Sequence, residues 1–87
     1  MAIKYYIGEI QERNGEFEYN TKYVFKTDKD PDEYTDKIAM SWRGGDKQDW
    51  DEDLKGYWSD QTLIFNSGSE TITKEEFDVL SRYLSIL

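Results

Sequence analysis

The sequence predicts an α+β domain. It has a small antiparallel sheet, built from an N-terminal hairpin plus two or three short strands, packed with two helices in the order ββ-α-ββ(β)-α. Three observations predict it. Two segments rich in β-branched and aromatic residues, 2–12 and 16–26, flank Asn14-Gly15, a dipeptide that readily takes positive φ at both central positions of a hairpin turn. Tyr34, Ile38 and Trp42 recur every fourth residue after a strong helix start. Phe77, Leu80, Leu84 and Leu87 form a second helical stripe behind a capping box.

Each element follows from its residues. A two-residue turn at Asn14-Gly15 opposes residues whose numbers sum to 29, so Ile10 faces Tyr19 and Tyr6 faces Tyr23. One face of that hairpin then carries Tyr6, Ile10, Phe17, Tyr19, Tyr23 and Phe25. The other carries Ile3, Tyr5, Ile7 and Val24. Asp30 is a good N-cap, Pro31 suits the first helical position, and Asp32 and Glu33 favour the positive end of the helix dipole. The Gly44-Gly45 pair ends this helix, which is placed at 31–43. Residues 46–56 read as an acidic loop with Trp50 in its middle. Tyr57-Trp58 and Thr62–Phe65 give two short strands, Asn66–Ser69 a turn, and Glu70–Ile72 a last short strand. Thr73 and Glu76 then cap a helix from about 74 to 86. Both helices are expected on one side of the sheet.

Composition bounds the function. A chain of 87 residues fits one domain, 1–87, with one modest core. Its apolar share of 37% is low, but three Trp, seven Tyr and four Phe supply enough large rings to fold around. With no Cys and no His, the chain lacks disulfides, thiolate zinc sites, thiol nucleophiles and imidazole bases or ligands. There is no phosphate-binding glycine loop and no Gly-x-Ser-x-Gly, and Ser67-Gly68-Ser69 has no ordinary base to activate it. No enzyme activity and no cofactor are expected. Asp49-x-Asp51-x-Asp53 resembles the opening of a calcium loop, but Leu54 replaces the required glycine and Asp60 the bidentate glutamate, so no metal site is expected.

Charge points to the partner. The net charge is −8, which repels polyanions, so neither nucleic acid nor an anionic membrane is an expected partner. The segment from Asp28 to Asp60 holds eleven acids against five bases, a local balance of −6. Asp32, Glu33 and Asp36 on the first helix, with Asp46, Asp49, Asp51, Glu52 and Asp53 in the loop, are the candidate partner-binding residues. Together they are the residues expected to form an acidic face that would imitate a row of phosphates and occupy a basic groove on a protein. Trp50 is the candidate anchor, since burial there would desolvate its acidic neighbours, whereas Trp42 and Trp58 read as core. The alternative interface is the aromatic hairpin, Phe17, Tyr19 and Tyr23, through which a structural or regulatory subunit would dimerise or dock; both monomer and homodimer are open. The start of the chain has no long apolar run, and a cytoplasmic location is expected.

This profile (short, acidic, aromatic-rich, free of Cys and His) resembles the small acidic inhibitors that phages and mobile elements direct against host restriction or CRISPR nucleases. The resemblance is one of size and composition, not of motif. It implies a non-catalytic inhibitor that acts as a DNA mimic.

Overall fold

The computed structural model describes residues 2–45 and 47–87. It is α+β, with a five-stranded mixed sheet and two helices. In chain order the elements are β1 (Lys4–Asn14), β2 (Phe17–Thr27), α1 (Pro31–Ser41), β3 (Gly56–Ser59), β4 (Thr62–Ile72), α2 (Lys74–Leu80) and β5 (Ser85–Ile86). The strands lie side by side as β3-β4-β1-β2-β5, all antiparallel except the β2–β5 pair. β1 is therefore central and pairs along its length with both β2 and β4.

Alternation along β1 divides the aromatic residues between two faces. Tyr6, Ile10 and Glu12 share one face with Tyr23 and Phe25 of β2, Ile64 of β4 and Tyr57 of β3. α1 covers this face. The Phe25 ring stacks on Tyr6 at 5.1 Å and on Tyr34 of α1 at 4.7 Å, with interplanar angles of 14° and 7°. Ala39 joins the fully buried set, and Tyr34, Ile38, Trp42 and Trp50 close over it. Tyr5 and Val24 point the other way, and Tyr5 meets Phe77 of α2 with ring centroids 5.0 Å apart. The helices thus lie on opposite faces, not on one side as expected, because the hairpin is apolar on both faces at its open end.

The hairpin keeps its predicted faces but not its predicted register. Opposed numbers sum to 31, so Tyr6 faces Phe25 and Ile10 faces Thr21. The turn is Gly15-Glu16: Gly15 alone takes positive φ (59°), while Asn14 stays in the strand opposite Phe17. The Asn14 amide is used elsewhere, donating to the Thr62 hydroxyl at 3.2 Å. A slip of two residues preserves side-chain parity, which is why the face assignment survives.

Three further boundaries differ from expectation. α1 gives way after Ser41 to a 3-10 turn over Trp42–Gly44, where Arg43 takes a left-handed φ of 56°. Asn66–Ser69 is not a turn but a β-bulge that leaves Ser67 without an opposite residue: Ile10 faces Asn66 while Glu9 faces Gly68. The Asn66 carboxamide oxygen accepts the Gly68 N–H at 2.9 Å, which absorbs the extra residue and lets 62–72 run as one strand. Finally, α2 has its capping box but stops at Leu80. Residues beyond it leave the helix to satisfy the sheet edge. The Leu87 N–H donates to the Val24 carbonyl at 3.0 Å, and the Tyr34 hydroxyl donates to the Leu87 carbonyl at 2.7 Å.

Tyr23 is fully buried, and its hydroxyl has no hydrogen-bond partner among the described residues. Burial, then the nearby Asp36, pushes its pKa far up. The folded state holds the phenol neutral, whereas the unfolded chain ionises near the ordinary value of 10. Stability is therefore level below that pH and falls above it. Tyr23→Phe should leave neutral-pH stability unchanged or raise it by up to about 1 kcal/mol, since no bond is lost. It should also flatten the loss of melting temperature at alkaline pH. Thermal melts of both proteins on either side of pH 10 check this.

Candidate protein-binding surfaces

The acidic loop is held at both ends. At its base, Asp51 and Gly56 exchange backbone hydrogen bonds of 2.7 and 3.3 Å, and the Asn66 N–H donates to the Lys55 carbonyl at 3.0 Å. The base needs glycine at 56: a Cβ there would run into the Ile64 carbonyl and lie 2.6 Å from the Phe65 Cβ. The Asp51 carboxylate accepts the N–H groups of Asp53 (2.9 Å) and Leu54 (3.3 Å), which turns the chain back on itself. In the first half, a 3-10 turn over Lys47–Asp49 delivers Trp50 to the core. The Trp50 indole nitrogen is buried with no partner among the described residues.

Among the described residues, a single cation joins this loop to α1. The Lys55 ammonium lies 3.1 Å from Glu52 and 3.5 Å from Asp36. Its pKa is pushed up, first by the hydrogen bond to Glu52 and then by Asp36. Asp36 is fixed from the other side, because the Asn66 amide donates to it at 2.9 Å and to the Thr35 hydroxyl at 2.7 Å. The acidic stretch of α1 and the acidic loop therefore meet at Asp36. Asp32, Glu33, Asp49, Asp51, Glu52 and Asp53 are all exposed and Asp36 partly so. Among the described residues, Asp32, Glu33, Asp49, Asp51 and Asp53 make no ion pair. Asp46 lies outside the described residues. Among the described residues no group of three or more acids is arranged to hold a metal ion, and no helix is long and apolar enough to cross a membrane.

The tryptophans exchange the roles read from sequence. Trp50 is no free anchor: it packs on the core, and the exposed apolar side chain within the loop is Leu54. Trp58 is not core but 60% exposed. The reason is strand parity. Tyr57 opposes Ile64 and points inward, so Trp58, opposing Leu63, points out on the α2 face. There the Arg13 guanidinium lies 5.4 Å from the Phe65 ring centroid. The dipeptide Tyr57-Trp58 shows this parity in the sequence, since strand alternation sends its two rings to opposite faces.

The hairpin surface is also divided. Phe17 and Tyr19 are 67% and 59% exposed near the turn, beyond the reach of α1, but Tyr23 is 0% exposed and belongs to the core. Tyr23 is thus removed from the alternative interface, because it lies where β5 and α1 close the sheet. Between these surfaces sits a feature missed by the sequence reading. The Glu12 carboxylate is buried, accepts from the Trp42 indole N–H at 3.2 Å and pairs with the Arg43 guanidinium. It ties the hairpin end of β1 to the 3-10 turn that follows α1. An open groove of about 360 Å³ at the bulge, lined by Glu9, Lys22, Ser67 and Glu70 among others, lies away from the acidic loop.

No family model, no curated protein and no solved structure matches this chain.

Arg43→Ala should destabilise the fold by about 2–3 kcal/mol, because it leaves the buried Glu12 carboxylate with one donor. The double variant Glu12→Gln with Arg43→Ala should recover part of that loss, since no buried charge remains. Chemical denaturation of the three proteins measures both.

Proposed function

We propose that this chain is a non-catalytic protein-binding inhibitor whose acidic side occupies a basic, nucleic-acid-binding groove. The observation that carries the reading is the junction at Asp36. Lys55 draws Glu52 and Asp36 together, so the acids of α1 and those of the loop act as one surface and not as two separate charged segments. Five carboxylates around that junction have no cation to pair with among the described residues. A cluster of like charges raises the local potential and attracts a positive surface. Such a surface is built to hold phosphates, and rows of carboxylates compete for the same Lys and Arg groups. Leu54, exposed among the acids, supplies the desolvated contact that charge alone lacks. The likeness in size and composition to phage-type inhibitors of restriction or CRISPR nucleases supports the same reading.

The test is competition. Purified nucleic-acid enzymes with basic clefts, a CRISPR nuclease and a restriction nuclease among them, are loaded with labelled DNA and titrated with the chain. Displacement should saturate at a fixed stoichiometry with at least one of them and weaken steeply as salt rises. The variant carrying Asp49→Asn, Asp51→Asn, Glu52→Gln and Asp53→Asn should lose displacement by tenfold or more, while Asn at 51 retains the oxygen that accepts from Asp53 and Leu54. Displacement that the variant performs equally well, or that ignores salt, contradicts the proposal.

A further inference from the structure

We propose that the chain forms a symmetric dimer by pairing the free edge of β2 with that of a second copy, with Tyr19 on the two-fold axis. The proposal is independent of the acidic surface.

The edge is open over a defined length. β5 pairs only with Tyr23 and Val24, so among the described residues Phe17–Lys22 has no paired strand on its outer side. Its pairing to β1 is regular, and neither proline nor a bulge interrupts it. The direction of its backbone groups follows from one bond. The Leu87 N–H reaches the Val24 carbonyl, so the even-numbered residues of β2 face outward. Glu18, Asn20 and Lys22 therefore present their N–H and C=O groups to whatever lies alongside.

These facts fix a register. A two-fold axis normal to the sheet pairs residues of the same face, so opposed numbers must sum to an even value. β5 occupies the positions beside Tyr23 and Val24, so the partner strand must end beside Lys22. The longest pairing that satisfies both conditions opposes Tyr19 to Tyr19, Glu18 to Asn20 and Phe17 to Thr21. Glu18 and Asn20 are then hydrogen-bonded pairs, as their outward groups require. Tyr19 is a non-hydrogen-bonded pair, the kind in which side chains approach most closely. Phe17 and Tyr19, the exposed rings of the hairpin, come together with their symmetry mates on one face. On the other face, Lys22 of each copy is set against Glu16 of the second, with Glu18, which pairs with Arg13 of its own chain at 3.4 Å, diagonal to it. The result is one ten-stranded sheet with both α1 helices on the same side.

Sedimentation velocity from low to high micromolar concentration tests the state, with three variants to locate it. The wild type should move from one chain to two as concentration rises. Asn20→Pro removes an N–H that faces outward, so it should leave the circular dichroism spectrum unchanged and abolish the dimer. Tyr19→Lys should abolish it as well, and decides the matter if Asn20→Pro fails to fold. Tyr19→Cys, in a chain with no other cysteine, should oxidise to a disulfide-linked dimer, because opposed Cα atoms in such a pair lie about 4.5 Å apart. A wild type that stays monomeric at all concentrations overturns the proposal. So does a dimer that persists in folded Tyr19→Lys.

Discussion

The two-residue period of β1 is the constraint on which the rest of the structure depends. Because β1 pairs on both sides, its alternation dictates which way every residue of β2 and β4 points, and through β4 those of β3. Tyr6, Ile10 and Glu12 define the face that α1 must cover; Tyr5 defines the one that receives Phe77 of α2. With 16% aromatic residues and a low apolar share, the chain has few small aliphatic side chains to fill gaps. It builds its core from stacked rings instead, Tyr6 on Phe25 and Phe25 on Tyr34. Each ring covers a large area, so a small number suffices.

That arrangement also explains how a strongly acidic loop is held against a folded domain. Exposed ion pairs contribute little, on the order of 0–1 kcal/mol each. The Lys55 contacts with Glu52 and Asp36 therefore orient the loop more than they stabilise it. What holds it is Trp50 packed on the core together with hydrogen bonds: the paired backbone of Asp51 and Gly56, and the Asn66 side chain that fixes Asp36. Repulsion among Asp49, Asp51, Glu52 and Asp53 works against these contacts. Binding a basic surface would relieve that repulsion, which links the strain of the loop to the function proposed for it.

Much of the fold was legible in the sequence, and the misreadings have physical causes. The hairpin, both helix starts and the chain order follow from short-range chemistry: the Gly15 turn, the Asp30 and Thr73 caps, and Pro31. What escaped was everything set by a neighbour distant in sequence. α2 ends early because the β2 edge offers Leu87 a backbone partner. Asn66–Ser69 bulges instead of turning because β1 continues alongside to pair with it. The acidic residues of the candidate surface were legible as a composition, and their meeting at Asp36 was not, because it depends on Lys55, whose nearest sequence signal was only its spacing from Glu52. Trp50 turns its ring to the core while the carboxylates on either side of it stay exposed, and Trp58 points out by strand parity; neither is set by the charge of the neighbours in sequence.

The most direct test of the central claim, that α1 and the loop present one acidic binding surface, is amide chemical-shift mapping with an arginine-rich peptide as the basic probe. One shared surface should give saturable shifts that cluster on both 32–36 and 49–55 and titrate with a single affinity, leaving the α2 face unperturbed. Shifts confined to one of the two segments, or titrating with separate affinities, would contradict it.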